Sequence, residues 1–141
     1  MTTTKIAEGF SGRCLCGAVS FQSNADPQAV MHCCCEDCRK SSGTGHCTHI
    51  VIPKNAFDVT GDVTRFSHPG GSGNTVTKAF CGTCGSPVYS TNSGYPETVF
   101  PRASILDDPE RVQPQMVVFA KSAISWDKQD EALPAFDEAP S

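Results

Sequence analysis

Short runs of alternating apolar and polar residues dominate the chain, and turn-forming residues separate them. These runs are rich in β-branched and aromatic side chains, which favour strands over helices. Alternation with a period of two is typical of strands that bury one face. The predicted strands cover residues 9–13, 18–22, 29–32, 48–52, 75–80 and 115–119. The pattern therefore predicts an all-β or nearly all-β fold, built mainly from antiparallel sheets.

Helical signal is scarce. Residues 36–42, followed by Gly43, predict one or two helical turns, and residues 107–111 predict another short segment. Both are shorter than the average globular helix of about 11–12 residues. The Gly-rich connector 68–74 resembles a phosphate-binding loop only superficially, since no Lys-Ser/Thr pair follows it, and it predicts a flexible hairpin tip.

One domain is expected for a chain of 141 residues. Its core should span about 9–126, and the acidic tail 127–141 should either lie over the domain or fray. The net charge of −4 argues against a nucleic-acid surface. No signal peptide or membrane-spanning run is evident in the sequence, so we expect a cytoplasmic protein that does not bind membranes.

Nine cysteines change this picture. In a reducing compartment clustered cysteines indicate metal ligands or reactive groups rather than disulfides. Two of the clusters end in Cys-Gly and lie between strand-like runs. They offer four thiolates that could close a tetrahedral structural zinc site: Cys14, Cys16, Cys81 and Cys84. Glycine after the last cysteine permits a positive φ, which turns backbone N–H groups towards the sulfurs.

The middle cluster has the spacing C-x-C-x-x-C and contains Cys33, Cys35 and Cys38. Three protein ligands are typical of a catalytic zinc, whose fourth position is left to water or substrate. Arg39 and Lys40 follow directly and should lower the thiol pKa values. Arg39 is also a candidate for binding a substrate carboxylate.

Several alternatives remain open for this middle cluster. Both metals could be structural, if the second site were closed by a nearby thiol or imidazole, for which the candidates are His32, Cys34, His46, Cys47 and His49. Otherwise Cys34 would be a neighbouring thiol and Cys47 a buried small apolar residue. An iron–sulfur cluster lacks the diagnostic cysteine run, and a redox dithiol at Cys81 and Cys84 lacks a βαβ context. Metal buffering or thiol sensing is a weaker interpretation of the cluster.

Features outside the cysteine clusters carry less information. Trp126 is expected to cap the core rather than contact a substrate. The acidic side chains of the tail predict a solubilising surface: Asp127, Asp130, Glu131, Asp137 and Glu138. The histidines near the middle cluster, His32, His46 and His49, are candidate proton donors or acceptors through their place in the chain alone.

Three motifs resemble the glutathione-dependent formaldehyde-activating enzyme family, also called the GFA or centromere-protein-V domain. They are GRCLCG at 12–17, CCCEDCRKSSG at 33–43 and FCGTCGS at 80–86, and weaker similarity continues at 106–109 and 126–127. The resemblance implies an Mss4-like β-tent fold with two zinc ions. It also implies that the first and third motifs hold the structural ion, and Cys33, Cys35 and Cys38 the catalytic one. Cys34 departs from the family pattern, which more often has histidine there.

The predicted function is an enzyme of carbon–sulfur lyase type that depends on zinc. Its substrate would be the adduct of a thiol such as glutathione with a small aldehyde or related electrophile, held by a zinc that stabilises a thiolate at neutral pH. The alternative is a non-enzymatic zinc-binding interaction module in which both metals are structural.

Overall fold

The computed structural model describes residues 9–139, and in that part it contains ten strands and one α-helix. The strands, in chain order, are β1 (Phe10–Arg13), β2 (Ser20–Ser23), β3 (Ala29–Cys33), β4 (Cys47–Pro53), β5 (Phe57–Thr60), β6 (Thr64–Pro69), β7 (Thr75–Phe80), β8 (Pro87–Asn92), β9 (Thr98–Pro101) and β10 (Met116–Val118). The helix α1 (Glu36–Ser42) joins β3 to β4. No helix of this part is long and apolar enough to cross a membrane.

The strands form two sheets. Three strands pair in the order β1-β2-β5, and seven pair in the order β10-β3-β4-β9-β8-β7-β6. Every pairing is antiparallel except that of β10 with β3. The prediction of a mainly antiparallel β fold is confirmed.

The main core lies between the two sheets. The three-stranded sheet contributes Phe10 and Phe21, whose rings meet edge to face with centroids 6.2 Å apart. The seven-stranded sheet contributes residues that are almost fully buried: Ile50, Ile52, Val88 and Val99. Such burial of aliphatic side chains is worth about 1.5–3 kcal/mol each, which makes this layer the principal source of stability.

A second, smaller cluster lies around α1 and the parallel strand. Its buried members are Cys33, Cys38, Cys47 and Val118. Phe136, from the C-terminal tail, packs against them. The tail is fixed there because the backbone N–H of Phe136 donates to Val117 O and the N–H of Val117 donates to Pro134 O, both at 2.9 Å. Of the two outcomes expected for the tail, the structure therefore shows the packed one through residue 139.

The helix α1 begins and ends where the sequence predicted. Cys35 is its N-cap residue, and the Cys35 Sγ accepts a hydrogen bond from the Cys38 N–H at 3.3 Å. At the other end the Gly43 N–H donates to Arg39 O at 3.1 Å. The helix thereby holds two cysteines one turn apart at its first turn. The predicted segment 107–111 forms only a 3₁₀ turn, Pro109–Arg111.

Four strands were not predicted: β5, β6, β8 and β9. The strand β6 extends to Pro69, so part of the connector 68–74 belongs to a hairpin strand, and the turn itself is closed by the Gly70 N–H donating to Asn74 O at 2.7 Å. The strands β8 and β9 begin or end at proline. Proline is confined to strand ends and edges because it lacks an N–H for the ladder, so it masked these strands in the sequence pattern.

Candidate metal centres

The first and third cysteine motifs meet in space. The sulfurs of Cys14, Cys16, Cys81 and Cys84 all lie within 4.8 Å of one another, and we call this set the four-thiol group. Cys16 Sγ lies 3.6 Å from Cys14 Sγ and 3.7 Å from Cys81 Sγ. Sulfurs bound at 2.3 Å around one tetrahedral zinc ion stand about 3.8 Å apart. The spacing and the donor type therefore fit a thiolate-bound metal.

Two matching backbone turns build the four-thiol group. Gly17 and Gly85 have φ of +83° and +81°, which a residue with a side chain rarely adopts. Each turn folds a backbone N–H back onto its own cysteine: Gly17 N–H donates to Cys14 O at 3.1 Å, and Gly85 N–H donates to Cys81 O at 2.8 Å. The Val19 N–H also reaches the Cys14 Sγ at 3.3 Å. The positive φ predicted for these glycines is confirmed, and in the first turn a backbone N–H points to a sulfur as expected.

Ser86 joins the two turns. Its Oγ accepts a hydrogen bond from the Leu15 N–H at 3.1 Å and lies 3.2 Å from Cys84 Sγ. The hydroxyl and backbone N–H of Ser86 lower the pKa of Cys84 to about 5. Cys14 and Cys81 are part of the main core, with 2% and 1% of their surface exposed. The four-thiol group is thus embedded in the layer that stabilises the fold.

The second set consists of Cys33, Cys35 and Cys38, whose sulfurs lie within 4.8 Å of one another; we call it the three-thiol group. Cys33 ends β3, while Cys35 and Cys38 belong to the first turn of α1. The strand and the helix converge at this point, which brings three sulfurs to one place from only six residues of chain.

Crowding of these thiols separates their pKa values. The hydrogen bond from Cys33, and to a smaller extent the one from Cys38, holds the pKa of Cys35 far below its ordinary value. Hydrogen bonds to Cys33, Cys35 and Cys47, in that order of importance, raise the pKa of Cys38 well above its ordinary value, and the hydrogen bond to Cys35 raises the pKa of Cys33 to about 12. Like charges at such distances cannot coexist without a cation, so a divalent ion that prefers sulfur fits this group. Arg39 and Lys40 are not the main cause, contrary to expectation, and Lys40 pairs with Glu36 at 2.8 Å.

A third set overlaps the three-thiol group at Cys38. The ligand atoms of Cys38, Cys47 and His49 lie within 4.8 Å of one another. Cys47 and His49 project from the same face of β4 because side chains two residues apart share a face. His49 Nε2 lies 3.3 Å from Cys38 Sγ. On its other side, His49 Nδ1 lies 2.9 Å from a guanidinium nitrogen of Arg102.

The other two candidate histidines, His32 and His46, lie away from these thiols. His32 Nδ1 lies 2.8 Å from Thr48 Oγ1, and the His32 and His46 rings meet with centroids 4.5 Å apart. His32 is paired with Thr48 in the β3–β4 ladder, and this pair is adjacent to the Cys33–Cys47 pair. The pleat therefore turns His32 to the opposite face from the three-thiol group. Of the three candidate histidines, only His49 contacts one of its cysteines.

Asp127 has a structural contact that the sequence did not suggest. Its carboxylate lies 2.7 Å from His46 Nδ1 and accepts a hydrogen bond from the Gln129 side chain at 3.0 Å. A Cβ atom at Gly45 would lie 2.4 Å from the Asp127 side chain, so glycine is required for the tail to approach. Asp127 is therefore part of the tail's attachment, and the prediction that it belongs to a solubilising surface is wrong.

The remaining candidates divide into buried and exposed residues. Cys34 and Cys47 are both buried. For Cys47 this agrees with the expected buried small residue, although its Sγ also lies within 4.8 Å of the ligand atoms of Cys38 and His49. The prediction that Trp126 caps the core is wrong, because 72% of its surface is exposed: the tail packs through Phe136 instead. Arg39 is half-buried on α1, beside Cys38, and makes no side-chain hydrogen bond or ion pair within residues 9–139.

Arg102 is the residue that the sequence interpretation missed. Only 4% of its surface is exposed, and its guanidinium also donates to Ser90 Oγ and Phe100 O at 3.2 and 3.0 Å. A buried arginine needs such partners because an unpaired charge is costly in the interior. The available signal was a single charge directly after the apolar residues 99–101, which should have indicated a buried polar contact.

Three comparisons place the chain among known proteins. The profile of the family described as glutathione-dependent formaldehyde-activating enzyme (GFA) matches residues 9–122. A Halomonas elongata protein, whose name gives it provisionally as a glutathione-dependent formaldehyde-activating enzyme, is 29% identical over 119 residues. That match covers 72% of this chain and 71% of the relative.

A crystal structure of a Rhodobacter sphaeroides protein shares the fold. The TM-score is 0.57 at 22% identity, over 74% of this chain and 91% of the other. The profile match includes all seven cysteines of the four-thiol and three-thiol groups. This chain belongs to the glutathione-dependent formaldehyde-activating enzyme family.

Proposed function

We propose that the protein is a carbon–sulfur lyase that requires zinc and acts on the adduct of a thiol such as glutathione with a small aldehyde such as formaldehyde. Two zinc ions would be bound per chain, a structural one by Cys14, Cys16, Cys81 and Cys84 and a catalytic one by Cys33, Cys35 and Cys38. The three-thiol group carries the proposal, since three protein ligands are typical of catalytic zinc and four of structural zinc.

The chemistry needed is the stabilisation of a thiolate. When bound, zinc supplies it by lowering the pKa of a coordinated thiol below neutrality. The thiolates of Cys33, Cys35 and Cys38 bring three negative charges, so a fourth thiolate is held weakly and can exchange. Arg39 is the candidate for binding a carboxylate of the substrate, because it lies beside Cys38 and has no partner in residues 9–139.

The reaction itself is a reversible addition. In the forward direction the thiolate sulfur forms a bond to the carbonyl carbon, and the electron pair of the carbonyl bond moves to oxygen. That oxygen takes a proton from water, and the proton released by the thiol is taken up by water, so the product is a hemithioacetal. Cleavage of the same carbon–sulfur bond returns thiol and aldehyde. The cytoplasm, where small thiols are abundant and reduced, is the expected compartment.

Exchange spectroscopy can test this proposal. Carbon-13 formaldehyde and glutathione form their adduct spontaneously, and the zinc-loaded protein should accelerate the interconversion of free and bound formaldehyde. Cys38→Ala should abolish the acceleration, whereas Cys34→Ala, a buried cysteine outside both groups, should retain it. Equal exchange rates with and without zinc-loaded protein would contradict the proposal.

The second candidate is a non-enzymatic zinc module. One observation favours it: Cys47 and His49 lie close enough to Cys38 to serve as protein ligands. If they closed the second site, no position would be left for a substrate thiol. The coordination sphere of the second metal therefore separates the two functions.

A further inference from the structure

We propose that Arg102 and His49 form a positioning pair, in which Arg102 fixes the proton of His49 on Nε2 and His49 donates this proton as a hydrogen bond to Cys38 Sγ. His49 would then be a hydrogen-bond donor to a metal-binding thiolate and not a metal ligand. This inference rests on the proposed function only in requiring a metal at the three-thiol group.

The Arg102 contact decides which nitrogen of His49 carries the proton. A guanidinium group has donors only and stays protonated in proteins. At 2.9 Å from an Arg102 nitrogen, His49 Nδ1 must therefore present its lone pair. A proton on Nδ1 would set two donors against each other at hydrogen-bonding distance. The neutral ring then carries its single proton on Nε2.

The proton on Nε2 faces sulfur. His49 Nε2 lies 3.3 Å from Cys38 Sγ, which is within the range of an N–H···S hydrogen bond. A lone pair at Nε2 would be needed for His49 to bind a metal together with Cys38 and Cys47. Arg102 removes that lone pair, so the third set of candidate ligands is incomplete in this arrangement.

The fold makes the contact rigid. His49 and Arg102 face each other in an isolated antiparallel bridge next to the β4–β9 pairing. The Arg102 guanidinium is further held by Ser90 Oγ and Phe100 O. Two neighbouring strands thus fix the chain Arg102–His49–Cys38, and within residues 9–139 no side-chain N–H donor reaches Cys33 or Cys35 Sγ.

The consequence is a difference among three otherwise similar thiolates. A hydrogen bond to a thiolate favours its charged form, which is the form that binds a metal, and lowers the energy of the sulfur lone pairs. Cys38 would be the thiolate modified in this way. Removal of a hydrogen-bonding partner behind a metal ligand typically lowers metal affinity by about 10–100-fold.

Two substitutions at position 49 test the Arg102 contact and the Cys38 contact separately, because their side chains differ in length. His49→Gln places its amide near the position of Nε2, where it can donate to Cys38. His49→Asn places its amide near the position of Nδ1, where it can accept from Arg102 but cannot reach Cys38. We expect His49→Asn to lower zinc affinity at the three-thiol group by about 10–100-fold and His49→Gln to lose less than about tenfold.

The decisive readouts are spectroscopic. With cobalt at the three-thiol group, the sulfur-to-metal charge-transfer bands of His49→Asn should move to lower energy, and those of His49→Gln should stay near the wild-type position. Nitrogen-15 NMR of the unmodified, zinc-loaded protein should show His49 protonated at Nε2 with a free Nδ1. This second readout needs no variant to fold.

The outcomes are distinguishable. Two metals per chain with the His49 proton on Nδ1, a metal bound to His49, or an unshifted His49→Asn spectrum would overturn the inference and leave the proposed function standing. Three metals per chain would also overturn it, because His49 would then be a ligand. One metal per chain, at the four-thiol group only, would overturn the proposed function and this inference with it.

Discussion

The four-thiol and three-thiol groups use the same donor atom in opposite structural settings. The four-thiol group joins two segments 64 residues apart, and two of its cysteines are part of the main core. The three-thiol group lies within six residues, at the end of β3 and the start of α1, and two of its cysteines are part of the smaller cluster. Since closing a long loop stabilises a fold more than closing a short one, the first group is suited to stability and the second to chemistry.

The largest expected effect comes from a matched pair of cysteine replacements. Cys81→Ser removes one ligand of the four-thiol group and should cost at least about 5 kcal/mol of unfolding free energy, because structural zinc contributes directly to folding. Cys38→Ser should cost about 1–2 kcal/mol and remove only the second metal. Denaturant unfolding measures both values. Equal losses would remove the distinction between a structural and a catalytic site.

A second prediction concerns protons at the three-thiol group. The pKa values of Cys33 and Cys38 are raised, so both thiols hold protons at pH 7, and the metal must displace them. Zinc binding there should release about two protons, and affinity should fall about 100-fold for each unit that the pH is lowered. The sign follows because protons compete with zinc for the same sulfurs.

Calorimetry in buffers of different ionisation enthalpy would count these protons. Cys81→Ser cannot serve as the control because it is expected to destabilise the whole fold. Zinc binding to the intact protein should instead be compared with binding to Cys38→Ser, which lacks the second site. Release of no proton at the second site would show that its thiols are already ionised.

The smallest effect tests the support given by the tail. Phe136 packs against the smaller cluster, which contains Cys33, Cys38 and Cys47, whereas Leu133, in the same tail, does not belong to that cluster. Phe136→Ala should cost about 1–2 kcal/mol and speed zinc loss from the three-thiol group several-fold. Leu133→Ala should leave zinc loss unchanged. Competition with a chromophoric chelator measures both rates, and identical rates would contradict a supporting role for the tail.

The sequence was most informative where structure is local. The helix α1, its end at Gly43 and the turns at Gly17 and Gly85 follow from spacing and turn chemistry, so both cysteine groups could be predicted. The strands β8 and β9 could not be, because their proline boundaries break the alternating pattern.

The surroundings of the second site depended on strand register, which a single sequence does not define. The β3–β4 register turns His32 away from the three-thiol group and His49 towards it. Arg102 reaches His49 only because β9 pairs with β4 across the 44 residues of chain that separate Pro53 from Thr98. Long-range pairing thus decides which of three similar histidines meets the thiols.

The central claim is that the four-thiol group is closed and the three-thiol group is open to an external thiol. Cadmium-113 NMR of the cadmium-loaded protein tests it directly, because the chemical shift of the ion reports the number of bound thiolates. Two resonances are expected, and glutathione should move only the one from the three-thiol group, towards the position of the other. A second resonance that stays in place at saturating glutathione would contradict the account.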